Sequence, residues 1–291
     1  SSAGDVNGDG FDDLIVGAPL DDVKTRYNSG ASFVVFGKTN GTAVELSAVE
    51  AGAGGFVING VSASDFSGRS VSSAGDVNGD GFDDLIVGAD GDDPNGSYSG
   101  ASFVVFGKTD GTAVELSAVE AGTGGFVING VSGYDRSGYS VSSAGDVNGD
   151  GFDDLIVGAW SDDPNGSNSG ASFVVFGKTD GTAVELSAVE AGTGGFVING
   201  VSANDYSGRS VSSAGDVNGD GFDDLIVGAR GDDPNGSYSG ASFVIFGGDF
   251  SGAATEIGTV GNDTLTGTVA NDVIFAGTGD DTIDGGGGTD R

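Results

Sequence analysis

Apolar residues in this chain fall into short runs cut by clusters of Gly, Asp, Asn and Ser. The runs "DLIVGA", "SFVVFG" and "GGFVING" recur in a fixed order. With the "SVSSA" segment before the first Asp-rich loop they read as four strands per unit. "DLIVGA" and "SFVVFG" are almost continuously apolar, as expected of strands covered on both faces. "SAVE", Ser47 to Glu50 and its copies, fits a capping box and predicts one short helical turn. Glycine supplies 59 residues, which suits tight turns and close strand packing and argues against long helices.

The units repeat. "GDVNGDGFDDLIVGA" begins at Gly4 and returns letter for letter at Gly75, Gly145 and Gly215. Asp5, Asp76, Asp146 and Asp216 are 71, 70 and 70 residues apart. Near-identical sequence units imply near-identical structural units. A four-stranded unit at this spacing predicts an all-β chain of radial blades. A sandwich with accidental repetition is the weaker alternative.

Composition narrows the picture. The 291 residues carry 44 acidic and 10 basic side chains, a net charge of −34. Phosphate neutralisation needs Lys and Arg, so a general nucleic-acid binder is excluded, and attraction to anionic membranes is disfavoured. The 37% of hydrophobic residues, held in β-type runs, argue against a disordered acidic tail. No Cys is present, which removes disulfides and thiolate metal sites and leaves bound metal as a candidate staple. No run approaches the roughly 20 apolar residues of a membrane helix. The chain has no Met, no signal peptide and an opening phrase, "SSAGD", internal to later repeats. These features predict a segment of a longer protein.

The charge is concentrated in the repeated loop Asp5-Val6-Asn7-Gly8-Asp9-Gly10-Phe11-Asp12-Asp13. Side-chain oxygens fall at loop positions one, three, five and nine, glycine supplies the turn at six, and Phe11 offers a carbonyl at seven. This is the spacing logic of a calcium loop, without the position-twelve Glu of a helix-loop-helix site. Two carboxylates ~4 Å apart repel by about 4 kcal/mol at an effective dielectric near 20, so three pairs reach on the order of 10 kcal/mol per loop. A domain stable by only about 5–15 kcal/mol cannot hold four such loops closed without counter-ions. Hard oxygen donors without His or Cys favour Ca²⁺, with Mg²⁺ the lesser alternative. The alternative without metal is that Asp and Asn simply favour turns. The expected ligands are Asp5, Asn7, Asp9, Phe11 and Asp13, then Asp76, Asn78, Asp80, Phe82 and Asp84. The later copies are Asp146, Asn148, Asp150, Phe152 and Asp154, then Asp216, Asn218, Asp220, Phe222 and Asp224. Asp12 is expected to face solvent.

"SVSSAGDVNGDGFDDLIVGA" followed by "FVVFG" closely resembles the FG-GAP repeat of integrin alpha-subunit β-propellers and their bacterial relatives, over roughly residues 1–247. The resemblance implies four-stranded propeller blades with Ca²⁺ bound between the first two strands, in a ring of usually seven. Four loops are present, so the chain is expected to form part of a larger ring, or a smaller ring closed by other segments. The expected divisions are 1–248 for the blades (about 1–70, 71–140, 141–210 and 211–248), 249–258 for a linker and 259–291 for a second module.

In that second module Asp263, Asp272, Asp281 and Asp290 are spaced by nine, and Leu265, Ile274 and Ile283 follow the first three by two. This is the nonapeptide pattern in which aspartates bind Ca²⁺ between turns of a parallel β-roll; a Gly-rich linker is the alternative. The tail resembles haemolysin-type (RTX) repeats of secreted bacterial proteins, which implies folding outside the cell.

The repeats differ from one another at few positions. Pro19, Asp90, Trp160 and Arg230 follow "VGA", and Asn28, Tyr98, Asn168 and Tyr238 precede "SG". The loop after the fourth strand also varies. In an up-and-down blade these loops share the face opposite the calcium loops. Tyr, Trp and Arg are enriched in recognition hot spots, so this face is the candidate binding surface for a glycan or protein ligand. Its candidate contacts are Asp90, Tyr98, Tyr134, Arg136, Trp160, Tyr206, Arg209, Arg230 and Tyr238. The resemblance supports this, since integrin domains hold ligand on that face. Free drift of exposed loops is the alternative. The reading is thus a secreted, extracellular adhesion or recognition module stabilised by Ca²⁺, with no insertion in a membrane. A structural spacer, or an ancillary domain of a secreted hydrolase or lyase, is the alternative. Catalysis is not expected: His and Cys are absent, and the carboxylates recur equally instead of forming one unique constellation.

Overall fold

The apolar runs become strands that exchange hydrogen bonds in the same register in every repeat. The computed structural model describes residues 1–250, 256–257, 262–270, 272, 274–276 and 280–288. Repeat one forms β1 (Ser2–Gly4), β2 (Asp13–Ala18), β3 (Ala31–Val35) and β4 (Gly55–Asn59). Repeat two forms β5 (Ser70–Gly75), β6 (Asp84–Ala89), β7 (Ala101–Val105), the short β8 (Val114–Glu115) and β9 (Gly125–Asn129). Repeat three forms β10 (Ser140–Gly145), β11 (Asp154–Ala159), β12 (Ala171–Val175), β13 (Val184–Glu185) and β14 (Gly195–Asn199). Repeat four gives β15 (Ser207–Gly215), β16 (Asp224–Ala229) and β17 (Ala241–Ile245), with no fourth strand in its sheet among the described residues. Neighbouring strands are antiparallel, pairing Leu14 with Val35, Leu85 with Val105, Leu155 with Val175 and Leu225 with Ile245. The all-β blade architecture follows the expectation.

Alternation along each strand gives a blade two apolar faces, and the faces stack in one direction. Ile15, Val34, Phe56 and Ile58 of the first blade share a core with Leu85, Val87, Phe103 and Val127 of the second. The same positions join blade two to blade three, and Ile156 and Val174 of blade three meet Leu225 and Val227 of blade four. A blade cannot bury both faces alone. Leu14 and Val16, against which no earlier blade packs among the described residues, are 55% and 44% exposed, whereas Leu85 and Val87 are fully buried. At the other end Val244 is 48% exposed, whereas Val34, Val104 and Val174 are buried.

Two features differ from the sequence expectation. The helical turn is present as α1 (Leu46–Glu50), α2 (Leu116–Glu120) and α3 (Leu186–Glu190). Each is capped by the preceding Glu45, Glu115 or Glu185, without a side-chain cap bond, so Ser47 is not an N-cap. Burial of Leu116 and Val119, or Leu186 and Val189, places the turn instead. The connection before α2 and α3 also carries a strand. β8 pairs parallel with β4 of the preceding repeat, and β13 with β9. Asn59 Nδ2 donates to Glu115 Oε1 at 3.0 Å, and Asn129 Nδ2 to Glu185 Oε1 at 2.7 Å. Each outer strand is thereby tied to the next repeat.

The tail forms β18 (Glu256–Ile257), β19 (Thr264–Thr266), β20 (Ile274–Phe275) and β21 (Thr282–Asp284). β18 pairs parallel with β20 and β19 with β21, Leu265 opposite Ile283. Pairing two nonapeptides apart is the register of a parallel β-roll.

Candidate metal loops and the opposite loop face

The Asp-rich loops sit where β1, β5, β10 and β15 turn into the following strand. Each inner strand ends in a bulge at Gly4, Gly75, Gly145 or Gly215, with φ of +64° to +72°. Glycine adopts this conformation without the Cβ clash, and so the chain swings into the loop.

Inside the first loop the side-chain oxygens take backbone N–H groups. Asp5 Oδ1 accepts from Asp9 at 3.0 Å and Oδ2 from Gly10 at 2.9 Å. Asn7 Oδ1 accepts from Asp9 at 2.8 Å, and Asp9 Oδ1 from Phe11 at 3.0 Å. Asp13 is fully buried; it accepts from Val6 at 3.1 Å and from Gly37 at 2.7 Å. The other three loops repeat this pattern around Asp76, Asp146 and Asp216.

The side chains at positions one, three and five of each loop thus turn onto the loop's own N–H groups, and position nine ties Val6, or its copy, to the glycine after the third strand. Among the described residues, however, no group of three or more carboxylates converges tightly enough to form a finished metal cage. The donor set still suits a hard cation. Burial pushes the Asp13 carboxyl up to about 6, and Asp9 and Asp5 push the same way against the N–H bonds from Gly37 and Val6. Burial likewise drives Asp84 up to about 8, with Asp80 and Asp76 adding to it, and Asp154 well above the usual carboxylate range. Buried carboxylates beside others, with no Lys or Arg among the causes of their shifts, are what a divalent ion would neutralise. Asp5, Asn7, Asp9 and Asp13, with their copies, are the groups that would hold it. The ion would supply charge neutralisation and a fixed loop shape.

Asp12 is exposed, as expected. Its copies Asp83, Asp153 and Asp223 are half-buried and reach back to the preceding loop. Periodicity within one repeat carries no signal for this contact.

The opposite face is strained. Every non-glycine residue with positive φ among the described residues lies in the loops after the second or fourth strand: Lys24, Thr25, Asn28, Ser64, Phe66, Tyr98, Tyr134, Arg136, Asn168, Asn204, Tyr206 and Tyr238. Such conformations cost of order 1–3 kcal/mol each and gather at functional sites. The side chains there form a ladder of rings and guanidinium groups. Arg136 lies over Tyr98 at 4.8 Å, and Tyr98 stacks on Tyr134 at 6.1 Å. Arg69 and Arg209 both lie over Tyr139, at 4.7 and 4.8 Å, and Arg209 also faces Trp160 at 5.3 Å. Trp160 contacts Tyr139 and Tyr206, and Arg230 lies over Tyr206 at 5.0 Å. Tyr134 and Tyr238 are 65% and 77% exposed. Tyr139 and Arg69 belong to this group although they were not among the candidate contacts; their identities do vary between repeats at one position.

Asp90 requires correction as a surface contact. It is fully buried beneath the ladder, 3.1 Å from Arg136 and 3.6 Å from Arg69. A carboxylate without solvent needs these cations, and burial still raises its pKa.

A cavity of about 740 Å³ opens beside Tyr139, Arg209 and Arg230. Its floor is Gly228 and Gly240. In the first repeat the space over the equivalent Gly17 and Gly30 is filled by Ser67 and Gly68, the turn that leads into β5. The cavity is the corresponding space beside the fourth repeat, lined by Ser210, Ser239 and Ser242 as well.

In the tail, Asp272 is buried and accepts from Thr268, while Asp281 Oδ1 accepts from Asp263 N–H at 2.8 Å. Asp290 lies outside the described residues.

Comparison with known proteins agrees with this arrangement. The FG-GAP repeat model matches residues 1–35, 67–105, 137–175 and 207–245, more than half of the chain. The RTX calcium-binding nonapeptide repeat model matches residues 257–291. Integrin alpha-5 of Xenopus laevis is 28% identical over 253 residues, 84% of this chain and 21% of the relative. Integrin alpha-7 of Mus musculus is 35% identical over 160 residues, 54% of this chain and 12% of the relative. Integrin alpha-PS2 of Drosophila melanogaster is 31% identical over 164 residues, 55% and 11% respectively. The chain thus spans about a fifth or less of these relatives.

Proposed function

The chain belongs to the FG-GAP repeat family and ends in a calcium-binding RTX region, and from that premise we propose that it is an extracellular recognition module whose blade loops bind Ca²⁺ and whose opposite face binds a ligand. The module boundaries are those of the sequence: blades over 1–248, a linker over 249–258 and the nonapeptide region over 259–291. The ions sit at the four Asp-rich loops and between the tail aspartates Asp263, Asp272, Asp281 and Asp290. Their role is structural. They offset the carboxylate repulsion of a −34 chain and fix the turn from the first to the second strand of each blade.

One observation carries the ligand assignment. The strained backbone, the variable residues and the aromatic–guanidinium ladder all occupy one face, opposite the metal loops. Left-handed backbone persists there whether the residue is Asn or Tyr, so the loop shape is held while the side chains change. Tyr98, Tyr134, Arg136, Trp160, Tyr206, Arg209, Arg230 and Tyr238 are the proposed contacts with a glycan or protein. No catalytic role is assigned, because the carboxylates are spent equally on four loops and no His or Cys is present. Among the described residues no helix is long and apolar enough to cross a membrane. The assignment is tested on glycan and extracellular-protein arrays in Ca²⁺, with Tyr134→Ala and Trp160→Ala as controls. Binding that both substitutions weaken and that chelation abolishes supports it. No Ca²⁺-dependent binder leaves the second reading, a spacer or ancillary domain. That reading is favoured by the near-identity of the repeats, which share "GDVNGDGFDDLIVGA" letter for letter.

A further inference from the structure

Position eight of each metal loop is an aspartate that the proposed ligand set does not use: Asp12, Asp83, Asp153 and Asp223. In loops two to four this carboxylate leaves its own loop. Asp83 Oδ2 accepts the backbone N–H of Asp5 at 2.7 Å, Asp153 that of Asp76 at 2.8 Å, and Asp223 that of Asp146 at 3.0 Å. The backbone answers in the other direction. The N–H groups of Asp83, Asp153 and Asp223 donate to the carbonyls of Asp5, Asp76 and Asp146 at 3.4, 3.3 and 3.3 Å. A second segment of the following repeat joins in. Lys108, Lys178 and Gly248 donate their N–H groups to Val6, Val77 and Val147 at 2.8, 2.8 and 2.9 Å.

The following repeat therefore holds both backbone groups of the first proposed ligand residue and the carbonyl of the next. The same two segments fix the ninth position of their own loop. Asp83 adjoins Asp84, whose Oδ1 accepts from Gly107, the neighbour of Lys108. Ordering one loop thus orders the backbone that anchors the loop before it. Among the described residues no loop precedes that of Asp12, which is exposed, and no later carboxylate reaches Asp216.

We propose that Asp83, Asp153 and Asp223 are positioning residues that couple adjacent metal loops, so that a divalent cation in one loop raises the affinity of the loop before it. This rests on the reading that the blade loops bind Ca²⁺. The coupling works through shared ordering, and it is reciprocal, so each partner loop gains by the same factor.

Hydrogen–deuterium exchange by mass spectrometry on the full 291-residue chain, at buffered free Ca²⁺, tests it. The loops are identical, but peptides running through Pro19, Asp90, Trp160 or Arg230 identify each one. Asp153→Ala removes the side-chain part of the link between loops two and three. Both are expected to need about fivefold or more free Ca²⁺ for protection, while the tail is unchanged. Asp153→Asn keeps an acceptor and is expected to restore the parent midpoints. Asp12→Ala, at the same loop position without a preceding loop, is expected to shift nothing. Should Asp153→Ala not fold, Asp150→Ala, which disables loop three without touching the contact, is expected to shift loop two. A shift in loop three alone with Asp153→Ala, or in loop one with Asp12→Ala, would make position eight a ligand of its own loop and overturn the proposal. So would an unmoved loop two with Asp150→Ala. If the parent loops gain no protection while the tail does, the metal reading of the blades itself fails, and the coupling with it.

Discussion

One substitution, glycine to alanine in "DLIVGA", has four sites of identical sequence and two different expected outcomes. Gly17, Gly88, Gly158 and Gly228 are extended and free of left-handed strain, so only space decides. A Cβ on Gly17 would fall inside 3.0 Å of the Gly68 carbonyl oxygen, one on Gly88 inside 3.0 Å of Gly138 O, and one on Gly158 inside 3.0 Å of Gly208 O. Those obstacles are backbone of the next blade's inner strand or the turn before it, and they cannot rotate away. Overpacking of this kind costs about 1–3 kcal/mol or more. On Gly228 the nearest atom is Ser210 O at 3.5 Å, an ordinary contact. There the loss of unfolded-chain freedom contributes about 0.4–1 kcal/mol of stabilisation. At roughly 2–4 °C per kcal/mol for a domain of this size, Gly88→Ala and Gly158→Ala should lower the melting midpoint by about 2–12 °C, and Gly228→Ala should leave it unchanged or slightly raised. The measurement is thermal unfolding by circular dichroism in saturating Ca²⁺, comparing the single variants. Equal losses at Gly88 and Gly228, or none at Gly88, would refute the one-directional stacking of blades.

Chelation should lower the melting midpoint, because each ion that binds only the folded chain adds about 2.7 kcal/mol at a hundredfold excess over its dissociation constant; an unchanged midpoint in EDTA would contradict the metal reading. In EDTA the chain should gain stability as pH falls from about 7 toward 4. Burial, with Asp92 or Asp162 beside them, pushes Asp65 and Asp135 up to about 7. The folded state therefore keeps protons that the unfolded state has released, and stability is lost as pH rises through that window. Each can contribute at most about 4 kcal/mol, and Asp65→Asn with Asp135→Asn should flatten the slope in urea titrations at pH 5 and 7.5. Arg136→Met should destabilise the fold by about 3 kcal/mol by leaving Asp90 buried with one cation, and adding Asp90→Leu should recover most of the loss in the same assay.

The strands were legible because their apolar runs repeat four times, and the loops because four aspartates in nine residues have few structural uses. What escaped the sequence is contact between repeats. β8 is only Val114 and Glu115, too short for a period, and it pairs with β4, more than fifty residues earlier. The "SAVE" phrase has the letters of a capping box, yet Leu116 and Val119 bury themselves and start the turn two residues earlier, with Glu115 at the cap in place of Ser117. Tertiary packing outweighs a cap worth about 1 kcal/mol. The role of Asp83 was hidden for the same reason. Asp12 and Asp83 are the same letter in the same phrase, and only the presence of a preceding loop separates an exposed carboxylate from a hooked one.

The proposed metal loop at one end of a blade is joined to the proposed recognition face at the other by the second strand. β6 starts at Asp84, a proposed ligand, and ends at Ala89, immediately before the variable Asp90. β11 runs likewise from Asp154 to Ala159, before Trp160, and β16 from Asp224 to Ala229, before Arg230. Six residues at ~3.3 Å span roughly 20 Å. All six residues of β6 and of β11 are buried, so each strand is clamped on both faces and cannot slide or twist alone. Freeing Asp84 from its loop removes the anchor at Val77 and Gly107, and the start of the strand then frays into water. Residues near its far end feel that loss only if the blade opens as a unit. Calcium removal should accordingly weaken ligand binding in step with loss of blade protection, and a variant that keeps its blades closed without calcium should keep its ligand.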